Sequence, residues 1–272
     1  TAQEWIGSVQ DIEDQRNAER SLRTLNAELE ERVADRTSQL EAANKDLEGF
    51  SYSVSHDLRA PIRAIGGFCT LLSRDHQSQI DTEAQRKIKV IKDEAERMGA
   101  LIDDLLAFSR LGRKALQPVD IDMEQLAGNA YLRLNQNQGN PDIVFRLGSL
   151  PHATGDRSLF EQVWINLLSN AIKFSSKKSD PAIEVGAISD EREHVYFVRD
   201  NGAGFDPRYQ ANLFGVFQRL HHTEEFPGTG VGLALVHRIV TRHGGRIWAD
   251  AKLGEGATFH FTLPKEQSSA RV

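Results

Sequence analysis

At 272 residues the chain is long enough for two domains of about 100–200 residues each. Its 39% hydrophobic and 26% charged residues are ordinary for a soluble protein, and a net charge of −6 argues against a broad electrostatic grip on nucleic acid or anionic membrane. The one cysteine, Cys69, allows no internal disulfide and no multi-cysteine metal site, and reads as a small core residue in a reducing, cytoplasmic compartment. No run approaches the ~20 apolar residues of a membrane span, so no membrane contact is expected. The opening TAQEWIG is neither a basic leader nor an initiating Met, which reads as a piece of a longer protein.

Residues 17–56 contain no proline, and their only glycine is Gly49. A heptad fits with a at Asn26, Val33, Leu40, Leu47 and Val54, and d at Leu22, Leu29, Arg36, Ala43 and Phe50. Such a helix would be ~60 Å long. So thin an apolar stripe needs a partner helix, which a parallel homodimer supplies most simply; the alternative is a long solvated helix packed on its own domain. Asn26 is the kind of polar a residue that fixes register. His56, in SHDLRAP, falls at c and faces water. Pro61 lacks the N–H that would bond the carbonyl of Asp57. The apolar pattern nevertheless continues through Ile62, Ile65, Phe68, Leu71 and Leu72, which favours a kink over an end.

A loop, SRDHQSQID, follows, and Thr82 and Gln85 stand at capping-box spacing. Ala84, Ile88, Ile91, Ala95, Met98, Leu101, Leu105 and Phe108 then recur in steps of three and four. Two such helices form a hairpin that pairs into a dimeric four-helix bundle. The stretch 111–120, with Gly112 and Pro118, reads as a linker. Beyond it, strands are expected at 143–147, 183–188, 194–200, 245–250 and 257–263, with helices near 121–135, 156–174 and 229–243. This is an α/β sandwich, a mixed sheet with helices on one face.

Three clusters in this second half carry chemistry. Asn166, Asn170 and Lys173 share one helix face, opposite Trp164, Leu167, Leu168 and Ile172. Two amide oxygens and an ammonium suit a Mg²⁺–triphosphate. In VRDNGAGF, Asp200 ends a strand before Gly202 and Gly204. A carboxylate there can accept from an adenine amino group, although DNGAG is also a common turn. Gly228, Gly230 and Gly232 precede an apolar-periodic helix, whose free N–H groups can cradle phosphates. The segment 206–227 between them suggests a lid, in which Arg219 could reach a terminal phosphate. His221 and His222 read as exposed loop histidines before metal ligands.

The order SHDLRAP, NLLSNAIKF, DNGAGF, LFGVFQRL, GTGVGL, GATFHF resembles the sensor histidine kinases of two-component systems from about Phe50 to Pro264, with FGVFQRLHH most similar to the phytochrome-like and PAS-linked type. The resemblance implies an α+β protein of two domains. One is a dimeric helical hairpin, a four-helix bundle with an N-terminal coiled coil. The other is an α/β-sandwich ATPase domain of the gyrase/Hsp90/histidine kinase/MutL type. EWIGSVQDI resembles the last strand of a PAS sensor domain. The implied boundaries are 1–16 for that PAS end, 17–50 for a signalling helix, 51–112 for dimerisation and histidine phosphotransfer, 113–266 for ATP binding, and 267–272 for a tail.

The resemblance also implies roles. His56 would accept the γ-phosphoryl group of ATP, oriented by Asp57. Asn170 would ligate Mg²⁺ with help from Asn166, and Lys173 and Arg219 would compensate phosphate charge. Asp200 would bind the adenine amino group, and Phe174 and Thr258 would line the adenine pocket. Gly202, Gly204, Gly228, Thr229, Gly230 and Gly232 complete the nucleotide site. The implied partners are a second copy of the chain, an upstream sensor domain and the receiver domain of a response regulator. Ala60, where many relatives carry Thr or Asn, implies weak regulator phosphatase activity. A silent ATP-binding dimer that regulates another kinase by contact is the alternative, against which the intact His56, Asp57 and Asn170 argue.

Overall fold

The computed structural model describes residues 2–76, 79–111, 115–136, 143–218, 225–226 and 228–265. By internal contacts the chain divides into two units, Thr1–Val54 and Ser55–Val272. None of the described helices is long and apolar enough to cross a membrane.

The first unit is helical throughout its described length, within α1 (Ala2–Asp75). The strand expected in EWIGSVQDI is therefore corrected to helix. A lone strand with no neighbour leaves its N–H and C=O groups unpaired, whereas a helix satisfies them locally. Leu29 and Val33, expected at the heptad seam, are 49% and 63% exposed in the single chain.

In the second unit α1 passes through Pro61 without ending, as the apolar pattern beyond it indicated. α2 (Thr82–Arg110) returns alongside it. Its cap lies one residue before the expected box: the Asp81 carboxylate accepts from the Ala84 N–H at 2.7 Å, while Gln85 Nε2 donates to the Ile80 carbonyl. A shorter carboxylate reaches the third amide without a second partner. An Arg59–Asp103 ion pair and the close approach of Gly66 to Ala95 join the two helices. Cys69, Ala95, Ile102 and Leu106 are buried between them.

The remaining fold is the expected sandwich. A five-stranded sheet has the order β2 (Val144–Leu147), β4 (Ala182–Ser189), β5 (Glu193–Asp200), β7 (Gly256–Pro264), β6 (Ile247–Lys252). Only β2–β4 is parallel. Two short strands were not foreseen: β1 (Pro118–Ile121) and β3 (Ala153–Asp156) pair antiparallel, so the expected linker already ends in a strand at Pro118. At four residues each, neither shows a readable alternation.

Three helices, α3 (Met123–Gln136), α4 (Arg157–Ser175) and α5 (Gly232–Arg242), supply the core with the inward residues of the sheet. Phe160, Val163, Trp164, Leu167 and Leu168 of α4 are fully buried, each contributing about 1.5–3 kcal/mol. Trp164 meets Tyr196 and Phe261 edge-on. The Asp156 carboxylate caps α4, accepting from the N–H groups of Ser158 and Leu159.

His243 closes α5. Its Nδ1–H donates to the Ile239 carbonyl at 2.8 Å, Nε2 accepts from the Asp156 N–H at 3.1 Å, and the ring packs on Phe160. This pattern requires the neutral ring, and burial, ahead of its other interactions, pushes its pKa below the ordinary histidine value. Unfolding therefore lets the ring take up a proton, so its contribution is complete above about pH 6.5 and is lost as pH falls below that. The urea midpoint advantage of the parent over His243→Gln should be largest at pH 7 and should shrink between pH 7 and pH 5.

Candidate functional site

The site is built outward from α4. Because Trp164, Leu167, Leu168 and Ile172 face the sheet, Asn166, Asn170 and Lys173 face away, toward a cavity of about 280 Å³. Lys173 Nζ donates to Asn170 Oδ1 at 3.0 Å. Asn166 gives its amide N–H to the Gln162 carbonyl, which leaves its oxygen against Gly232, where a Cβ would lie only 2.4 Å from it. The glycine thus lets the start of α5 press onto α4. No side chain caps α5 at Val231, so its first amides offer donors at the cavity wall.

Asp200 ends β5 at 5% exposure. It accepts from the Gly202 N–H at 2.9 Å and from the Ala257 backbone. Burial outweighs both bonds and pushes its pKa up to about 6. A buried acceptor in a cavity walled by Phe174, Phe205, Leu213, Phe226 and Phe259 suits a flat heterocycle that offers an amino group. Lys173 Nζ lies 4.4 Å above the Phe174 ring, and Phe226 packs on the same ring. Phe217 adopts φ 63°, costly for a bulky residue, and its N–H donates to the Gly230 carbonyl, which pins the end of LFGVF to the glycine loop.

Most of the expected nucleotide residues converge here: Asn166, Asn170, Lys173, Phe174, Asp200, Gly204, Gly228, Thr229, Gly230 and Gly232 all line the cavity. Gly202 does not. It packs instead on the Phe174 carbonyl, 2.5 Å from where a Cβ would sit, and so shapes the turn that holds Asp200. Thr258 is a correction. It pairs with Arg199 on the opposite face of the sheet, next to Glu184, because strand alternation sends its neighbours Ala257 and Phe259 inward. Arg219, His221 and His222 lie outside the described residues. Ala257 and Phe259 could have been read from the same alternation. Asp104 of α2, which also lines the cavity and accepts from the Thr229 hydroxyl at 2.5 Å, carries no local signal.

His56 lies elsewhere, on α1, with its side chain 69% exposed. Nδ1 is 3.2 Å from Asp57 Oδ1. With the proton on Nδ1 donated to that carboxylate, Nε2 presents its lone pair to solvent.

Two family models match the chain: the His Kinase A (phospho-acceptor) domain over residues 46–114, and the histidine kinase-, DNA gyrase B- and HSP90-like ATPase over 155–267. The chain is the catalytic core of a sensor histidine kinase. The core is 38% identical to cyanobacterial phytochrome A of Nostoc sp. over 86% of its length and 31% of that protein's. It spans about a third of the length of the curated relatives it matches. Among solved structures, full-length ShkA in complex with AMPPNP has the same fold, with TM-score 0.60, 24% identity, and coverage of 79% of this core and 45% of that chain. So does ThkA in complex with the response regulator protein TrrA, with TM-score 0.55, 23% identity, and coverage of 80% and 61%.

In the absence of a ligand, the buried carboxylate of Asp200 lowers the stability of the core. A carboxyl whose folded pKa is raised from 3.8 to about 6 loses stability as pH rises between those values, on the order of 2–3 kcal/mol. Asp200→Asn keeps an acceptor for Gly202 and should raise the ligand-free melting temperature at pH 7. Carboxyl NMR of the parent core should show a carbon titrating near pH 6 that the variant lacks.

Proposed function

We propose that this core is an ATP-dependent protein-histidine kinase that phosphorylates His56 and passes the phosphoryl group to an aspartate of a response regulator. The observation that carries the reading is a solvent-facing imidazole held by a carboxylate, in the same chain as a cavity lined by a buried acceptor, by aromatic rings and by amide and ammonium groups. Nε2 of His56 attacks the γ-phosphorus, a P–N bond forms, the bond to the bridging oxygen breaks, and ADP leaves. Asp57 stabilises the positive charge that develops on the ring through its Nδ1 proton. Asp200 accepts from the adenine amino group, while Lys173 and the first amides of α5 meet phosphate charge. The oxygens of Asn170 and Asn166 would hold Mg²⁺, which neutralises charge on the phosphates when bound.

His56 does not line the cavity. Reaction at ~3–3.5 Å therefore calls for the ATP-binding domain to move relative to the hairpin. A parallel homodimer would cover the exposed Leu29 and Val33 through the heptad, and an upstream sensor would act through that coiled coil. The response regulator joins the proposal because the solved relative ThkA is seen in complex with one.

With radiolabelled ATP and Mg²⁺, the core should gain acid-labile, base-stable phosphate, and His56→Gln should gain none. Nucleotide binding without any phosphate on His56 would favour a silent regulator. Ala60 is exposed and has no group to position water. Dephosphorylation of the regulator by this core should therefore be slow, and Ala60→Thr should speed it without loss of autophosphorylation.

A further inference from the structure

The C-terminal part of α2 is tied to the ATP-binding domain at both ends of α5. At the start, the Thr229 hydroxyl in the glycine loop donates to Asp104 at 2.5 Å. Toward the end, the Arg238 guanidinium lies 4.6 Å from the Phe108 ring centre, and Arg242 donates to the Leu111 carbonyl. These contacts place the Asp104 carboxylate in the wall of the cavity, together with Asn166, Asn170, Lys173 and Gly232. This is the region whose cationic and amide donors suit phosphate. A carboxylate there opposes a triphosphate and also occupies a hydroxyl donor of the loop. The neighbouring Asp103 pairs with Arg59, one helical turn beyond His56, so one turn of α2 holds the phosphoacceptor helix on one side and the glycine loop on the other.

We propose that Asp104 is a latch that makes docking of the ATP-binding domain onto α2 and binding of a nucleoside triphosphate mutually antagonistic. The inference rests on the nucleotide reading of the cavity. In the docked arrangement the carboxylate holds the loop through Thr229 and repels the phosphates. Binding of a triphosphate expels it and frees the domain to travel; docking weakens triphosphate binding by the same factor as triphosphate weakens docking, so a signal that strengthens docking lowers nucleotide affinity.

The test is calorimetric titration of the whole chain with AMPPNP plus Mg²⁺ and, separately, with adenosine, which has no phosphate. Asp104→Asn keeps an oxygen for Thr229 but removes the charge, and should bind AMPPNP at least about threefold tighter with adenosine affinity unchanged. Arg242→Gln lies outside the cavity wall and loosens docking at the far end of α5, so it should move AMPPNP affinity the same way. Binding of both ligands with no gain in Asp104→Asn would overturn the latch. Weaker AMPPNP binding in Asp104→Asn would overturn it too, by making Asp104 part of the Mg²⁺ or phosphate machinery. A gain in Asp104→Asn without one in Arg242→Gln would overturn the link to docking. Failure of the parent chain to bind either ligand would instead overturn the nucleotide reading, and the latch with it.

Discussion

The burial of Trp164, Leu167, Leu168 and Ile172 against the sheet fixes the rotation of α4 about its own axis. A helix turned by 100° would send Asn166, Asn170 and Lys173 into the core or over the neighbouring helix. The hydrophobic face therefore aims the polar one. The other parts of the cavity are positioned against it: Gly232 allows α5 to begin beside Asn166, and the turn after β5 wraps the Phe174 carbonyl through Gly202 and Ala203. Asp200 is held by that turn and by β7, so its depth and its raised pKa follow from packing around one helix.

Helices, long strands and the order of polar motifs were legible because each rests on a period that the residues display directly. The two faces of α4 could be separated from spacing alone, and the exposure of His56 followed from its place off the apolar seam. The failures have a common physical cause, since each depends on a neighbour that spacing does not name. β1 and β3 are too short to alternate and exist through each other. The resemblance placed Thr258 in the adenine pocket, whereas the register that pairs Asp200 with Ala257 turns Thr258 to the other face of the sheet. Asp81 took the cap from Thr82 because a carboxylate one position earlier reaches the free amide. EWIGSVQDI is helix, and among the described residues no strand pairs with it to share its hydrogen bonds.

The two halves of the proposed reaction sit in opposite environments. The imidazole of His56 is wet and held by one carboxylate. The nucleotide's base would meet a dry carboxylate among aromatic rings. Exposure would let the imidazole meet a phosphoryl donor and then a phosphoryl acceptor in turn. Dryness gives a single hydrogen bond enough weight to choose among bases. Neither environment could do the other's work, which is why such chemistry is spread over two domains.

Leu111, the residue after α2, is 5% exposed and belongs to the hydrophobic cluster of the sandwich. Pro118 is already fixed in β1. Only seven residue steps separate them, a leash of at most about 25 Å when fully drawn. Long travel by the sandwich must therefore pull a leucine into water, at about 1.5–3 kcal/mol. A detent of that depth resists thermal drift of the sandwich yet yields to any push of a few kcal/mol.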